Sequence, residues 1–141
     1  MRLVRFHVAV VVGLLAGLLA LACGGAPQGC PGMTSGSADQ AAFATSFSAM
    51  GLARQGGAPI ADNVVFAPAD TIEIAATALQ ETQTRLCVQS TASGGKVQSD
   101  KTQAVAKGDS RVAVGKLTAS SYVVRVFVGS TLVKNLPFTV K

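Results

Sequence analysis

From residue 71 onward the apolar residues of this chain return at every second position in short runs, a period that restricts them to half-buried strands. Thr71 to Ala78 sets Ile72, Ile74, Ala76 and Ala78 against Thr71, Glu73, Ala75 and Thr77. Gln83 to Ser90 puts Leu86 and Val88 on one face and Arg85, Cys87 and Gln89 on the other. Arg111 to Leu117 turns Val112 and Val114 inward, and Ser121 to Val128 separates Tyr122, Val124, Val126 and Val128 from Val123, Arg125 and Phe127. Asn63 to Phe66 is a shorter extended run stopped by Ala67-Pro68, while Val97 and Val105 are weak strand centres in a polar stretch at an exposed edge. Ser93-Gly94-Gly95 marks a turn and Gly129-Ser130 a two-residue hairpin loop, where glycine supplies the positive φ such turns require. The last strand runs from Thr131 to Val140, and Pro137 inside it calls for an edge position or a bulge. Six or seven short strands with no sustained helix after residue 60 predict an all-β antiparallel sandwich.

Residues 38 to 56 support two readings. Phe43, Phe47 and Met50 have helical spacing, Ser37-x-x-Gln40 resembles a capping box and Gly51 is placed to end a helix. Phe47, Ala49 and Gly51 also alternate with Ser46, Ser48 and Met50, which suits a strand over about 45–54, after a helical turn, leading into the turn Gln55-Gly56-Gly57-Ala58-Pro59. Residues 24–37, GGAPQGCPGMTSGS, have no hydrophobic period and read as a tether, because they cannot bury enough surface to offset the entropy of ordering. The expected organisation is therefore an export signal over 1–22, a flexible tether over 23–44 and one sandwich over 45–141.

The amino terminus carries its own signature. Arg2 and Arg5 precede an apolar stretch from Val8 to Ala22 that ends in small residues, the three parts of a bacterial export signal. That stretch is short of the roughly 20 residues a bilayer span requires, and without adjacent arginines the general export route is expected. The formal net charge of +5 falls by two when Arg2 and Arg5 leave, and the remaining charges are scattered singly. With no basic stripe, one Tyr and no Trp, the chain lacks the electrostatic and stacking features of a nucleic-acid binder.

Ala20-Leu21-Ala22-Cys23, preceded by Leu18-Leu19, resembles the lipobox of bacterial lipoproteins. The resemblance implies that Cys23 is acylated through its thiol and becomes the mature amino terminus. Several acyl chains, at about 0.8 kcal/mol per buried methylene, hold a domain to a membrane where one would not. Gly24 after the cysteine, rather than Asp, implies the outer membrane, with the domain facing the periplasm. Ala20 stands where Leu is usual and Leu21 where a small residue is usual; the alternative is cleavage after Ala20-x-Ala22, releasing a periplasmic or secreted protein with a free Cys23. With Cys23 acylated, Cys30 and Cys87 are left as a pair in an oxidising compartment. A closed loop between them would contribute roughly 2–4 kcal/mol; otherwise Cys30 stays free in the leader. Cys87 lies opposite Leu86 and Val88, so such a bridge is expected as a surface staple, with the segment carrying Cys30 laid across the outside of the sheet.

Phe66-x-x-x-Asp70-Thr71-Ile72, the stretch Leu117 to Val126 and the ending Leu136-Pro137-Phe138-Thr139-Val140 resemble the immunoglobulin-like sandwich modules of bacterial envelope lipoproteins, over about residues 60–141. The resemblance implies about seven strands and gives Tyr122 the tyrosine-corner position, whose hydroxyl bonds nearby backbone. Phe138 belongs to the closing core strand. Ser121 replaces the usual glycine before the tyrosine, and no tryptophan occupies the strand around Leu86 to Val88.

The inventory for catalysis is poor. The only histidine, His7, leaves with the signal, so no serine has an evident base. Asp70 and Glu73 sit three apart, on opposite faces of a strand, and suit capping or solubility. Gly94-Gly95 lacks the lysine and helix of a phosphate loop, and Cys30 and Cys87 without histidine or a CxxC make a weak metal set. The expectation is a protein with no catalytic residue, cofactor, metal or small-molecule ligand, acting as a structural or protein-interaction module that contacts the membrane through its lipid and an envelope protein, for example by strand addition at an edge. The alternative is a binding or inhibitory domain resembling proteinase inhibitors, with loops 90–96 or 100–110 as the contact.

Overall fold

The computed structural model describes residue 30 and residues 36–61, 63–92 and 94–141. The signal read over 1–22, Cys23 and the rest of the segment before Gly36, Cys30 apart, lie outside the described residues. One short helix, α1 (Gln40–Ser46), precedes eight strands: β1 (Phe47–Arg54), β2 (Val65–Phe66), β3 (Ile72–Ala78), β4 (Thr82–Ser90), β5 (Val97–Val105), β6 (Gly108–Gly115), β7 (Ser120–Val128) and β8 (Thr131–Val140). They form a three-stranded sheet in the order β1-β3-β6 and a five-stranded sheet in the order β2-β8-β7-β4-β5. Every pairing is antiparallel except β2 with β8.

The inner faces close on one core, which makes the fold all-β and sandwich-like. Phe47, Leu52, Ile72, Ile74 and Val112 from the three-stranded sheet meet Leu86, Val88, Val124, Val126, Leu136 and Phe138 from the five-stranded one. At roughly 1.5–3 kcal/mol for each large apolar side chain removed from water, this layer outweighs any single polar contact in the molecule. The alternation that predicts β3 is seen directly in its burial: Ile72, Ile74, Ala76 and Ala78 are buried while the residues between them are half-exposed; in β4 and β7 it gives way to runs buried on both faces, Leu86 to Ser90 and Val124 to Phe127.

Both readings of residues 38–56 describe part of the chain. A helix of two turns runs to Ser46, and the strand begins at Phe47, two residues later than expected. The cap is Asp39, whose carboxylate accepts the Ala42 N–H at 2.9 Å, in place of the expected Ser37 box. Gly51 does not end the helix; it lies within β1 opposite Ala75. A seven-residue helix is too short to persist alone, and here Ala42 and Phe43 pack on the core while the Lys134 ammonium lies 5.0 Å from the Phe43 ring centre. The Asp39 N–H also bonds Leu132 O at 2.8 Å, and Asn135 donates to Gly36 O at 3.1 Å. The expected boundary between tether and sandwich at 44/45 thus falls inside α1, and residues 36–44 are attached to β8.

Register shifts interrupt the β1–β3, β3–β6, β4–β5 and β7–β8 pairings, and the two in the five-stranded sheet decide which side chains share its outer face. Val88 pairs Ser99 but Gln89 pairs Val97, so Gln98 is extra and Val97 leaves the core face that Val105 occupies. Val126 pairs Lys134 but Phe127 pairs Leu132, which leaves Val133 as the extra residue on β8. Pro137 sits elsewhere, on a stretch of β8 that β2 does not cover, since β2 pairs only Thr139 and Val140. The Thr139 and Lys141 N–H groups point toward the β2 side, bonding Val64 O and Phe66 O. By the same period the Pro137 nitrogen faces that side just before pairing begins, so the donor it lacks is not missed.

Gly129 closes the β7–β8 hairpin with φ of +59°. Nothing crowds the place a Cβ would take, so Gly129→Val meets only the backbone term for a left-handed L-residue, about 1–2 kcal/mol. Urea denaturation of the variant is expected to show that loss with an unchanged m-value.

Candidate functional site

Cys30 and Cys87 are joined in a disulfide with their Cα atoms 5.7 Å apart, on the face of the five-stranded sheet that points away from the core. Parity explains the placement, because Leu86 and Val88 occupy the inner face and leave Cys87 on the outer one. Yet Cys87 is fully buried, since Cys30 covers it and Phe127, Val97 and Leu132 complete a second apolar cluster. This outer cluster needs both bulges, which bring Val97 and Leu132 to the same side as Phe127.

Charged groups surround the staple. Cys87 is flanked in the sheet by Asp100 on β5 and Arg125 on β7. Asp100 takes a two-pronged bond from Arg85, Nε at 2.8 Å and Nη2 at 2.6 Å, the fixed-fork geometry that suits guanidinium and carboxylate. The bond to Arg85 holds the Asp100 carboxyl below its ordinary pKa and raises that of Arg85. Arg125 is buried with its guanidinium 5.5 Å from the Phe127 ring centre, and burial lowers its pKa from the ordinary guanidinium value.

Tyr122 is buried in the main core, where its ring stacks on Phe138 at 5.4 Å between centres and Phe138 meets Phe66 edge-on at 5.8 Å. Its hydroxyl donates to Thr118 O at 2.9 Å and lies 3.2 Å from Thr118 Oγ1. Buried tyrosine needs such a partner for its polar end, and here it ties the loop before β7 to the strand itself. Beyond Phe66, Arg54 lies over that ring at 5.5 Å and donates to Asp70 at 3.0 Å and to Val65 O at 3.1 Å.

Asp70 lies in the turn before β3 rather than on that strand, which corrects the expected opposite-face pair with Glu73. It accepts the Ala67 N–H at 2.9 Å, and that bond foremost, with Arg54, holds its carboxyl below the ordinary range. Glu73 accepts the Gly56 N–H at 3.2 Å and lies 3.5 Å from Arg111. Both carboxylates hold structure. Among the described residues no group of three His, Cys, Asp or Glu is placed to hold a metal. A cleft of about 780 Å³ opens between β1 and β8, lined by Met50, Leu52, Ile60, Leu136 and Phe138, with Lys134 as the one charged side chain among its described lining residues.

Of the residues singled out from the sequence, Cys30 meets Cys87 on one face and Tyr122 meets Phe138 in the core, while Cys23 lies outside the described residues. Arg85, Asp100 and Arg125 were not singled out; the signal available was three charged positions at outward parity around Cys87. Neither a family model nor a curated protein matches this chain.

The Arg85–Asp100 pair yields a prediction with a defined sign. Because the folded Asp100 pKa lies below its unfolded value, the pair's stabilisation is complete above about pH 4 and fades as pH falls through the folded pKa. Arg85→Met should reduce stability at pH 7 by about 1.5–3 kcal/mol, the range for a hydrogen bond to a charged group. Stability measured by denaturation against pH should then fall less steeply below pH 4 in the variant.

Proposed function

We propose that this chain is a lipid-anchored envelope protein, acylated at Cys23, whose immunoglobulin-like domain serves as a non-catalytic structural or protein-interaction module. The observation that carries the reading is the Cys30–Cys87 bridge. The chain has three cysteines, so the bonded pair leaves Cys23, at the lipobox position, as the remaining thiol. A disulfide also belongs to an oxidising compartment, which an export signal reaches.

The strand order supports the immunoglobulin-like reading. The chain begins in one sheet with β1 and crosses to the edge of the other with β2, and the remaining strands alternate as β3 and β6 against β4, β5, β7 and β8. The Tyr122 hydroxyl bond to the backbone four residues upstream matches the tyrosine corner of that family. Such a domain lends function to its surface, and the outer edges of β5 and β6, which pair no strand among the described residues, suit partners that add one.

Metabolic labelling with an alkyne fatty acid tests the anchor. The wild-type chain should take the label and partition with detergent, whereas Cys23→Ser should take none and appear in the aqueous fraction. Gly24→Asp should keep the label and move the protein from the outer to the inner membrane on a density gradient. A wild-type chain that is unlabelled and recovered from aqueous washes overturns the reading.

A further inference from the structure

The position of the disulfide has a geometric consequence for any anchor at Cys23. Only residues 24–29 separate Cys23 from Cys30, and a fully extended chain of that length reaches about 25 Å. Cys30 is bonded to Cys87 on β4, one strand in from the β5 edge, on the outer face of the five-stranded sheet. Without the bridge, the first attachments among the described residues are those of Gly36 and Asp39 at Asn135 and Leu132 on β8. The leash to Gly36 is then about 45 Å at full extension and leaves from a different strand.

We infer that the Cys30–Cys87 bridge is the point through which the membrane holds the domain, shortening the leash and turning the outer face of the five-stranded sheet toward the lipid surface. The inference rests on the lipid-anchor reading. Packed sheets lie about 10 Å apart, so a path from Cys30 around β5 to the outer face of the three-stranded sheet consumes most of a 25 Å reach. That outer face, with Glu73, Ala75, Thr77, Arg111 and Ala113, therefore looks away from the bilayer, toward whatever the module meets. Chain length added after Cys30, within the loop that the bridge closes, does not change that reach.

Two insertions in the full lipidated chain separate this arrangement from a simple long tether. The protein is extracted from envelopes in detergent and reconstituted into vesicles of phosphatidylethanolamine and phosphatidylglycerol containing an energy-acceptor lipid. A fluorescent non-natural residue at the exposed position of Ala113 serves as donor. A ten-residue Gly/Ser insert after Gly25 adds about 17 Å of root-mean-square reach and should lower energy transfer at least about two-fold. The same insert after Gly32 should leave transfer unchanged while the bridge is intact, and should lower it in the Cys30→Ser, Cys87→Ser double variant. Both inserts retain every native side chain, so their comparison decides the matter even where the serine variant does not fold. Equal loss of transfer from both inserts in the bridged protein, or loss from neither, overturns the inference while leaving the anchor intact. Absence of acylation in the same preparation overturns the anchor itself.

Discussion

The bond between Cys30 and Cys87 makes Cys30 part of the folded body. It is set in the cluster that Phe127, Val97 and Leu132 form outside the five-stranded sheet, separate from the core between the sheets. β4 and β7 are consequently buried on both faces over much of their length, with Leu86, Val88, Val124 and Val126 inside and Cys87, Arg125 and Phe127 outside. Native domains are stable by about 5–15 kcal/mol. A loop closure contributing about 2–4 kcal/mol is a large share of that margin, so the staple matters to a small sandwich even though most of its burial energy resides in the core.

From Gly36 the chain follows the edge of β8. Gly36 and Asp39 bond to Asn135 and Leu132 on β8, α1 caps the opening beside Phe43 and Lys134, and Phe47 enters the opposite sheet. An unpaired strand edge invites association with other chains, and this strap covers β8 where β2 does not reach. The remaining polar contacts are similarly structural. Arg54, Asp70 and Glu73 tie loops to strands, Arg111 meets Glu73 across the β3–β6 pair, and Tyr122 fastens the loop before β7.

Much of this was legible because a strand's period is two. Leu86 and Val88 forced Cys87 outward, Gly129-Ser130 marked the hairpin, and the alternation from Ile72 to Ala78 is reproduced in burial. What parity could not reveal were the bulges at Gln98 and Val133, which depend on cross-strand register and move Val97 and Leu132 to the staple. The helix was half legible. Phe43 and Phe47 do meet, with ring centres 5.7 Å apart, but Ser46 is the last helical residue because pairing with β3 claims Phe47. Asp39 displaced Ser37 as the cap because its N–H is fixed by Leu132, a contact no local pattern encodes. β2, two residues long and parallel, exists only through its bonds to β8.

The most direct test is the intact mass of the protein taken from native envelopes, unreduced and treated with a thiol-alkylating reagent. The expected species is a polypeptide starting at Cys23, heavier by its acyl groups, with Cys30 and Cys87 unalkylated. A chain starting elsewhere, or one bearing reagent on either of those two cysteines, would contradict it.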